Sequence, residues 1–165
     1  MSKTVQPAKP GNSMRDTVST FTLETAWSYK VTVLADLVAR RVAAVVQTTS
    51  GLNLSQWRVL AAVADKPGRT STEVVDITPM DKPIVSRAVQ VLVDRGFLRR
   101  EASQEDGRRS YLRLTAEGEG TYAAIVEALT KTGAAGLDLL SGGELAAFNR
   151  QLDEMITQYR DLTTA

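Results

Sequence analysis

The segment from Met80 to Thr115 constrains the fold of this chain more than any other part of its sequence. It joins MDKPIVSRAVQVLVDRGFLRR, which has the apolar spacing of an amphipathic helix, to EASQEDGRRSYLRLT, which has the pattern of two short strands around a charged tip. The helix should bury one face and expose the other, and the hairpin should project beside it. The order predicts a helix followed directly by a two-stranded ribbon.

The helix in this segment has recognisable ends. Asp81 is suited to cap its first turn, and Pro83 lies early enough for its missing N–H to be harmless, so the helix should begin near Lys82. Gly96 stands where a left-handed residue commonly follows a helix. Apolar residues recur between these ends at three- and four-residue spacing, which leaves a polar face free. That face carries Lys82, Ser86, Arg87 and Gln90.

The hairpin after the helix ends in a basic tip. Its two arms alternate apolar and charged residues, as a ribbon with one solvated face does. At the tip, Gly107 permits a tight turn, Asp106 can hold a guanidinium, and Arg108 and Arg109 project from a thin loop. Such a tip on its own is more often an ordinary solvated loop. Directly after this helix it predicts a DNA-binding wing, because a narrow minor groove attracts arginines.

Taken together, these residues resemble the MarR family of winged-helix transcriptional regulators. The resemblance runs from about Thr25 to Tyr159, and its marks are LNLSQWRVLAAVADKPG, DKPIVSRAVQVLVDRGFLRR and the D-x-R wing followed by LRLTAEG. It implies that the helix from Asp81 to Arg95 enters the major groove. It also implies that Arg108 enters the minor groove and that Asp106 orients the arginine. The segment EVVDITPM departs from the alanine- and leucine-rich pattern more usual in the family.

We therefore expect double-stranded DNA as the main partner. Arg87 is the expected base reader, because a guanidinium can pair bidentately with guanine in the major groove. Its neighbours on the helix would meet base edges or phosphates. The residues expected at the DNA are Lys82, Ser86, Arg87, Gln90, Asp106, Arg108 and Arg109.

Three further arginines have two interpretations that the sequence leaves open. Arg95, Arg99 and Arg100 could each hold a DNA phosphate. They could equally pair with the neighbouring carboxylates of Asp94 and Glu101.

The expected fold is mainly α with a small β-hairpin wing. We divide the chain into a flexible N-terminal segment (1–20), an N-terminal dimerisation helix (21–50), a winged helix-turn-helix DNA-binding domain (51–115) and C-terminal dimerisation helices (116–165). The flanking helices carry apolar stripes at helical spacing, which could equally be monomer core. In the family that the chain resembles, these helices intertwine with a second subunit. A two-fold dimer would read two half-sites about 34 Å apart, which predicts an inverted-repeat operator.

A small-molecule site is implied by the resemblance alone. Members of the family often bind small aromatic carboxylates or phenols between the dimer helices and the winged-helix unit, and occupancy spreads the recognition helices. Aromatic and cationic residues of the two helices that would wall this pocket are Trp27, Tyr29, Lys30, Trp57 and Arg58. The alternative interpretation is that both tryptophans are core residues and both cations are solvated.

Composition excludes several classes of function. With no cysteine and no histidine, the chain forms no disulfide, senses no oxidant through a thiol and offers no thiolate or imidazole to a metal, so we expect neither a metal nor a cofactor. Paired carboxylates, a P-loop, a nucleophile elbow and a dinucleotide fingerprint are all missing. We therefore expect a protein that is not an enzyme.

Charge is distributed unevenly along the chain. The net charge of +1 divides into +3 for residues 1–50, +3 for residues 51–115 and −5 for residues 116–165. A basic middle and an acidic end are compatible with one part that faces DNA and one that faces a partner. No targeting signal and no apolar run of membrane-spanning length is present, so we expect a cytoplasmic protein without a membrane partner.

The resemblance implies a repressor that a small, aromatic or phenolic ligand releases from its operator. The alternative is a winged-helix adaptor that contacts proteins and binds no specific DNA, since a fold alone does not determine function. The wing distinguishes the two hypotheses, because an adaptor has no need of Arg108.

Overall fold

A computed structural model describes residues 22–23, 25–102, 110–133 and 140–164 of the chain. Four helices come first: α1 Trp27–Ser50, α2 Leu54–Asp65, α3 Ser71–Ile77 and α4 Lys82–Asp94. The hairpin strands β1 Leu98–Ala102 and β2 Ser110–Leu114 follow, and then α5 Ala116–Lys131 and α6 Gly142–Thr164. The fold is mainly helical with a two-stranded wing, which confirms the expected fold class.

Capping residues set where the helices of the central unit begin. The Asn53 side chain accepts a hydrogen bond from the Gln56 backbone N–H at 2.9 Å, and the Gln56 side chain accepts one from the Asn53 N–H at 2.9 Å. Thr70 and Glu73 form the same reciprocal box at the start of α3. Asp81 caps α4 as predicted. Each box satisfies amide groups that the first turn of a helix otherwise leaves without partners.

The first helix begins later than its apolar pattern predicts. The pattern extends from Phe21, but α1 begins at Trp27. In the preceding turn Thr25 donates its hydroxyl to the Thr22 carbonyl at 3.0 Å, a local bond of the kind that competes with helix formation. Gly51, at φ +66°, follows the last residue of α1. The chain divides into two compact units within this helix, after Leu37.

The core of the second unit lies between α2 and α4. These helices pack on each other, α3 and α5 each contact α2, and the wing contacts α2, α3 and α5. Side chains from every one of these elements are buried together, along with one residue of α1. The largest fully buried ones are Val46, Leu52, Val59, Leu60, Val63, Val74, Val85, Val89, Leu92, Leu98, Leu112 and Ile125.

The wing is attached to the segment that precedes α3. Strands β1 and β2 are antiparallel, with Leu98 opposite Leu114 and Glu101 opposite Tyr111. On its other edge β2 bonds to the chain before α3, since Gly68 N–H donates to the Leu112 carbonyl at 3.0 Å and Leu112 N–H donates to the Arg69 carbonyl at 2.9 Å. The root of the wing is therefore held on both sides.

The wing, α4 and α5 meet at a tight backbone junction. Thr115 N–H donates to the Phe97 carbonyl at 3.1 Å, and the Thr115 hydroxyl donates to the Gly96 carbonyl at 2.5 Å. The same hydroxyl accepts a bond from Gly118 N–H at 3.1 Å. A Cβ atom on Gly118 would lie 2.0 Å from the Phe97 carbonyl oxygen. Only a glycine fits here without moving the backbone.

Within the described ranges, every helix falls short of the length and apolar character needed to cross a bilayer.

The Gly118→Ala variant should be strongly destabilised. The added methyl group collides with backbone, which cannot move aside as a flexible side chain can, so we expect the free energy of unfolding to fall by about 3 kcal/mol. Urea denaturation measures this change.

Gly120→Ala is the matched control, because a Cβ there would meet nothing within 4 Å. In the same helix it should raise stability by about 0.5 to 1 kcal/mol. Equal stability of the two variants would contradict the role assigned to Gly118.

Candidate nucleic-acid interface

Helix α4 presents the four residues that the sequence places in the major groove. Its inner face is buried through Val85, Ala88, Val89 and Leu92. The opposite face is solvent-exposed. On this face Gln90 Nε2 donates a hydrogen bond to Asp94 Oδ1 at 2.7 Å. The four exposed residues are Lys82, Ser86, Arg87 and Gln90.

Arg87 lies next to the start of α2. It lines a groove of about 330 Å³ together with the α2 cap residue Asn53 and with Ser55 and Gln56. These side chains are polar, and Ser55 and Gln56 are half-buried. The exposed face of α4 is thus continuous with a polar surface at the beginning of α2.

The predicted minor-groove residues Asp106, Arg108 and Arg109 lie outside the described residues. The ribbon that carries them is described up to Ala102 and again from Ser110.

Two arginines of the ribbon are paired with one carboxylate. Arg99 Nη1 and Arg113 Nε contact different oxygens of Glu101. The hydrogen bond from Arg113, followed by the positive charges of Arg113 and Arg99, holds the pKa of Glu101 below its usual range. The sequence left open whether Arg99 pairs with a carboxylate or holds a DNA phosphate, and in the structure it pairs with Glu101. Strand register explains it, because Arg99 stands opposite Arg113 and Glu101 lies two residues along the same face.

Arg95 is not paired with Asp94 but bonds to backbone at the end of α1. Its guanidinium donates to the carbonyl groups of Ser50 at 3.1 Å and Gly51 at 3.3 Å, at the end of α1. It also stacks over the Phe97 ring, with 4.8 Å from Cζ to the ring centroid. Carbonyl groups at a helix end carry partial negative charge and attract cations. Arg95 therefore joins the end of α4 to the end of α1.

Arg100 is exposed and differs from both neighbours. Within the described ranges it takes part in no ion pair and no hydrogen bond. It lines a cavity of about 630 Å³ between α3 and the root of the wing.

The residues proposed for a small-molecule site lie on α1 and α2. On α1, Trp27 and Tyr29 are 50% and 45% exposed, and Lys30 is exposed. On α2, Arg58 is half-buried. Trp57 is half-buried as well and stacks on Tyr122 of α5, with ring centroids 5.6 Å apart and planes 20° from parallel. Trp57 also packs against the core.

Sequence reasoning missed the partners of several side chains. The stack of Trp57 on Tyr122 joins residues far apart in the chain, and no local pattern predicts it. The pairing of Arg113 with Glu101 could have been predicted, because Arg113 and Glu101 lie on the same face of the hairpin. Among the described residues, no group of three or more acidic side chains is placed to hold a metal ion.

Comparison with known proteins points to one family. A model described as MarR family matches residues 50–109. The transcriptional regulator HosA of Escherichia coli O111:H- is 31% identical over 105 residues, which are 64% of this chain and 78% of HosA. The residues that match the family model contain α2, α3, α4 and β1.

Solved structures share the fold. The PcaV transcriptional regulator from Streptomyces coelicolor, solved in complex with its natural ligand, superposes with a TM-score of 0.66 and 24% identity over 83% of this chain and 96% of PcaV. Bordetella bronchiseptica BpsR, whose DNA binding is regulated by 6-hydroxynicotinic acid, superposes with a TM-score of 0.60 and 25% identity over 76% of this chain and 98% of BpsR.

Replacing Arg95 with methionine should lower the stability of the protein. The variant keeps most of the aliphatic contact with Phe97 but loses the charged donor to the end of α1, so we expect the free energy of unfolding to fall by about 1 to 2 kcal/mol. Urea denaturation measures it.

Arg99→Met is the matched control and should change stability little, because exposed ion pairs contribute little. Unchanged stability of the Arg95 variant, together with a smaller salt dependence of DNA binding, would instead assign Arg95 to a phosphate.

Proposed function

This chain belongs to the MarR family of transcriptional regulators, and we propose that it is a repressor that binds an inverted-repeat operator as a homodimer and is released by a small aromatic or phenolic ligand. Its relatives are regulators and not enzymes, in agreement with a chain that lacks histidine and cysteine. The observation that carries the proposal is the exposed polar face of the capped helix α4, directly followed by an arginine-rich wing.

We propose that α4 reads the major groove. Lys82, Ser86 and Gln90 would meet base edges or phosphates, and Arg87 would pair with guanine through two parallel hydrogen bonds. The buried apolar side of α4 supports this, because packing against α2 and α3 leaves the polar side as the one available to DNA. From the sequence we propose that Arg108, with Arg109 beside it and Asp106 orienting the arginine, enters the minor groove.

We propose that α1, α5 and α6 form the dimer interface. Helix α6 has 23 residues, and its described side chains include none that is fully buried. Leu34 and Leu37 of α1 are 42% and 53% exposed, and Leu162 of α6 is 68% exposed. Large apolar side chains exposed on each of these helices are expected to be covered by a partner. A second copy would cover it and would supply the second recognition helix that a two-fold operator requires.

The ligand proposal rests on the family and on residue chemistry. BpsR is regulated by 6-hydroxynicotinic acid, a small aromatic acid. In this chain the exposed rings of Trp27 and Tyr29 and the cation of Lys30 would suit such a molecule on α1, as Trp57 and Arg58 would on α2.

Loss of Arg87 should relax base preference. We would select a duplex from a random pool with the wild-type protein and measure binding by fluorescence anisotropy at about 150 mM salt, beside a shuffled duplex. Arg87→Ala should weaken binding to the selected duplex by about 10- to 100-fold and binding to the shuffled duplex much less. Arg108→Ala should also weaken binding.

Lys131→Ala controls for the loss of one positive charge, because this exposed lysine pairs with Glu127 at the end of α5. It should bind like the wild type. Unchanged binding in both arginine variants would contradict the proposed contacts. If the wild type enriches no duplex, the adaptor hypothesis replaces the repressor.

A charge on α1 should dissociate the dimer. Sedimentation of the wild type should give twice the 17.9 kDa mass of one chain. Leu37→Glu should shift the mass toward one chain, because burying an unpaired carboxylate in an apolar interface costs several kcal/mol.

Ile77→Glu is the matched control, since Ile77 on α3 is similarly exposed, at 43%, and lies outside the proposed interface. This variant should remain dimeric. A wild-type protein that sediments as a monomer would rule the interface out.

A further inference from the structure

We propose that Arg100 binds a phosphate of the DNA backbone in a notch between α3 and the root of the wing. The inference rests on the proposed function and adds to it a contact that determines affinity without reading bases. We call this cavity the wing-root notch. It measures about 630 Å³, and the residues that line it include Ser71, Thr72, Glu73, Arg100, Ser110 and Tyr111.

Arg100 differs from the neighbouring arginines because each of those already has a bonding partner. Arg99 and Arg113 are both bound to Glu101, and Arg95 is bound to carbonyl groups at the end of α1. Each of these would have to give up a charged partner before it could bind a phosphate. Arg100 has no such partner within the described ranges, so its guanidinium keeps all its donors for a ligand.

The notch has the chemistry of a phosphate contact. A guanidinium can donate two parallel hydrogen bonds to two phosphate oxygens. Thr72 and Ser110 line the same cavity, and their side-chain hydroxyl groups can donate to further oxygens. Arginine, serine, threonine and tyrosine side chains are all common donors to DNA phosphates.

Among the described residues that line the notch, Glu73 is the one carboxylate, and it is held by its own helix. Glu73 Oε2 accepts hydrogen bonds from Thr70 N–H at 2.7 Å and from the Thr70 hydroxyl at 2.9 Å. These bonds, the backbone one first, lower the pKa of Glu73, and the positive charges of Lys66 and Arg69 act in the same direction. Glu73 is therefore a charged capping residue among cations, and its oxygen is turned to Thr70.

The location of the notch matches the path of a DNA strand. In a helix-turn-helix the first helix crosses the phosphate backbone while the second lies in the major groove. Here α3 is the first helix, α4 is the second, and the wing is proposed to enter the minor groove. A sugar-phosphate strand separates the two grooves of a duplex. It must pass between the helices and the wing, where Arg100 and Tyr111 line the notch.

The test is the salt dependence of binding, measured with the full chain on the selected duplex and on the shuffled one. Each phosphate contact adds about 0.9 to the slope of log affinity against log salt. Arg100→Gln should reduce the slope by about 0.9 for each subunit and should weaken binding to both duplexes by a similar factor. Arg100→Lys should restore the slope, because a lysine also neutralises a phosphate.

Arg99→Gln is the matched control, since it removes an equal charge from the next residue, which is already paired with Glu101. Its slope should stay close to that of the wild type. A wild-type slope for Arg100→Gln, or an equal fall for both variants, would overturn the assignment to Arg100 while leaving DNA binding intact. A wild-type protein that binds neither duplex would instead overturn the proposed function itself.

Discussion

The junction of Phe97, Thr115 and Gly118 determines how the parts of the winged-helix unit are joined. The Phe97 carbonyl accepts from Thr115 N–H and lies so close to Gly118 that a side chain is excluded there. This contact sets the start of α5 against the start of β1. Arg95, just before it, bonds to the end of α1. The recognition helix is thus tied at its C-terminal end to the wing and to two of the flanking helices, so these elements are expected to move together.

The arginines of the wing strands differ in whether they are paired with a carboxylate. Glu101 pairs with two of the ribbon arginines, Arg99 and Arg113, and offsets one of their two positive charges. Arg100 has no such partner within the described ranges, so its charge remains available to a DNA phosphate. The net charge of the chain is only +1, so affinity for DNA would depend on a few unpaired cations and not on a general excess of basic residues. A few unpaired cations at fixed positions favour binding to particular phosphates over general electrostatic attraction to DNA.

Two flanking helices are joined to the winged-helix unit by specific side-chain contacts. Helices α1 and α6 carry exposed apolar side chains, and α5 stacks Tyr122 on Trp57 of the central unit. The end of α1 is bonded to Arg95 at the end of α4. A change in the separation of two α1 helices would therefore reach both recognition helices through hydrogen-bonded and packed contacts. This gives a physical route by which a regulator of this family could respond to a small molecule.

The sequence by itself determined the elements whose signals are local. The Asp81 cap, the left-handed Gly96 and the apolar face of α4 depend on residues within a turn or two, and the structure has each of them as expected. Tertiary structure alone decided where the long side chains bond. Arg95 finds the carbonyl of Ser50, 45 positions away, and Trp57 finds Tyr122. The physical reason is that the bond that defines a helix cap lies within the first turn of that helix, whereas a guanidinium or an indole ring can pair with any suitable group that folding brings near. The constraint on Gly118 is also of the second kind, since a close approach of backbone from a distant part of the chain leaves no periodic pattern in a sequence.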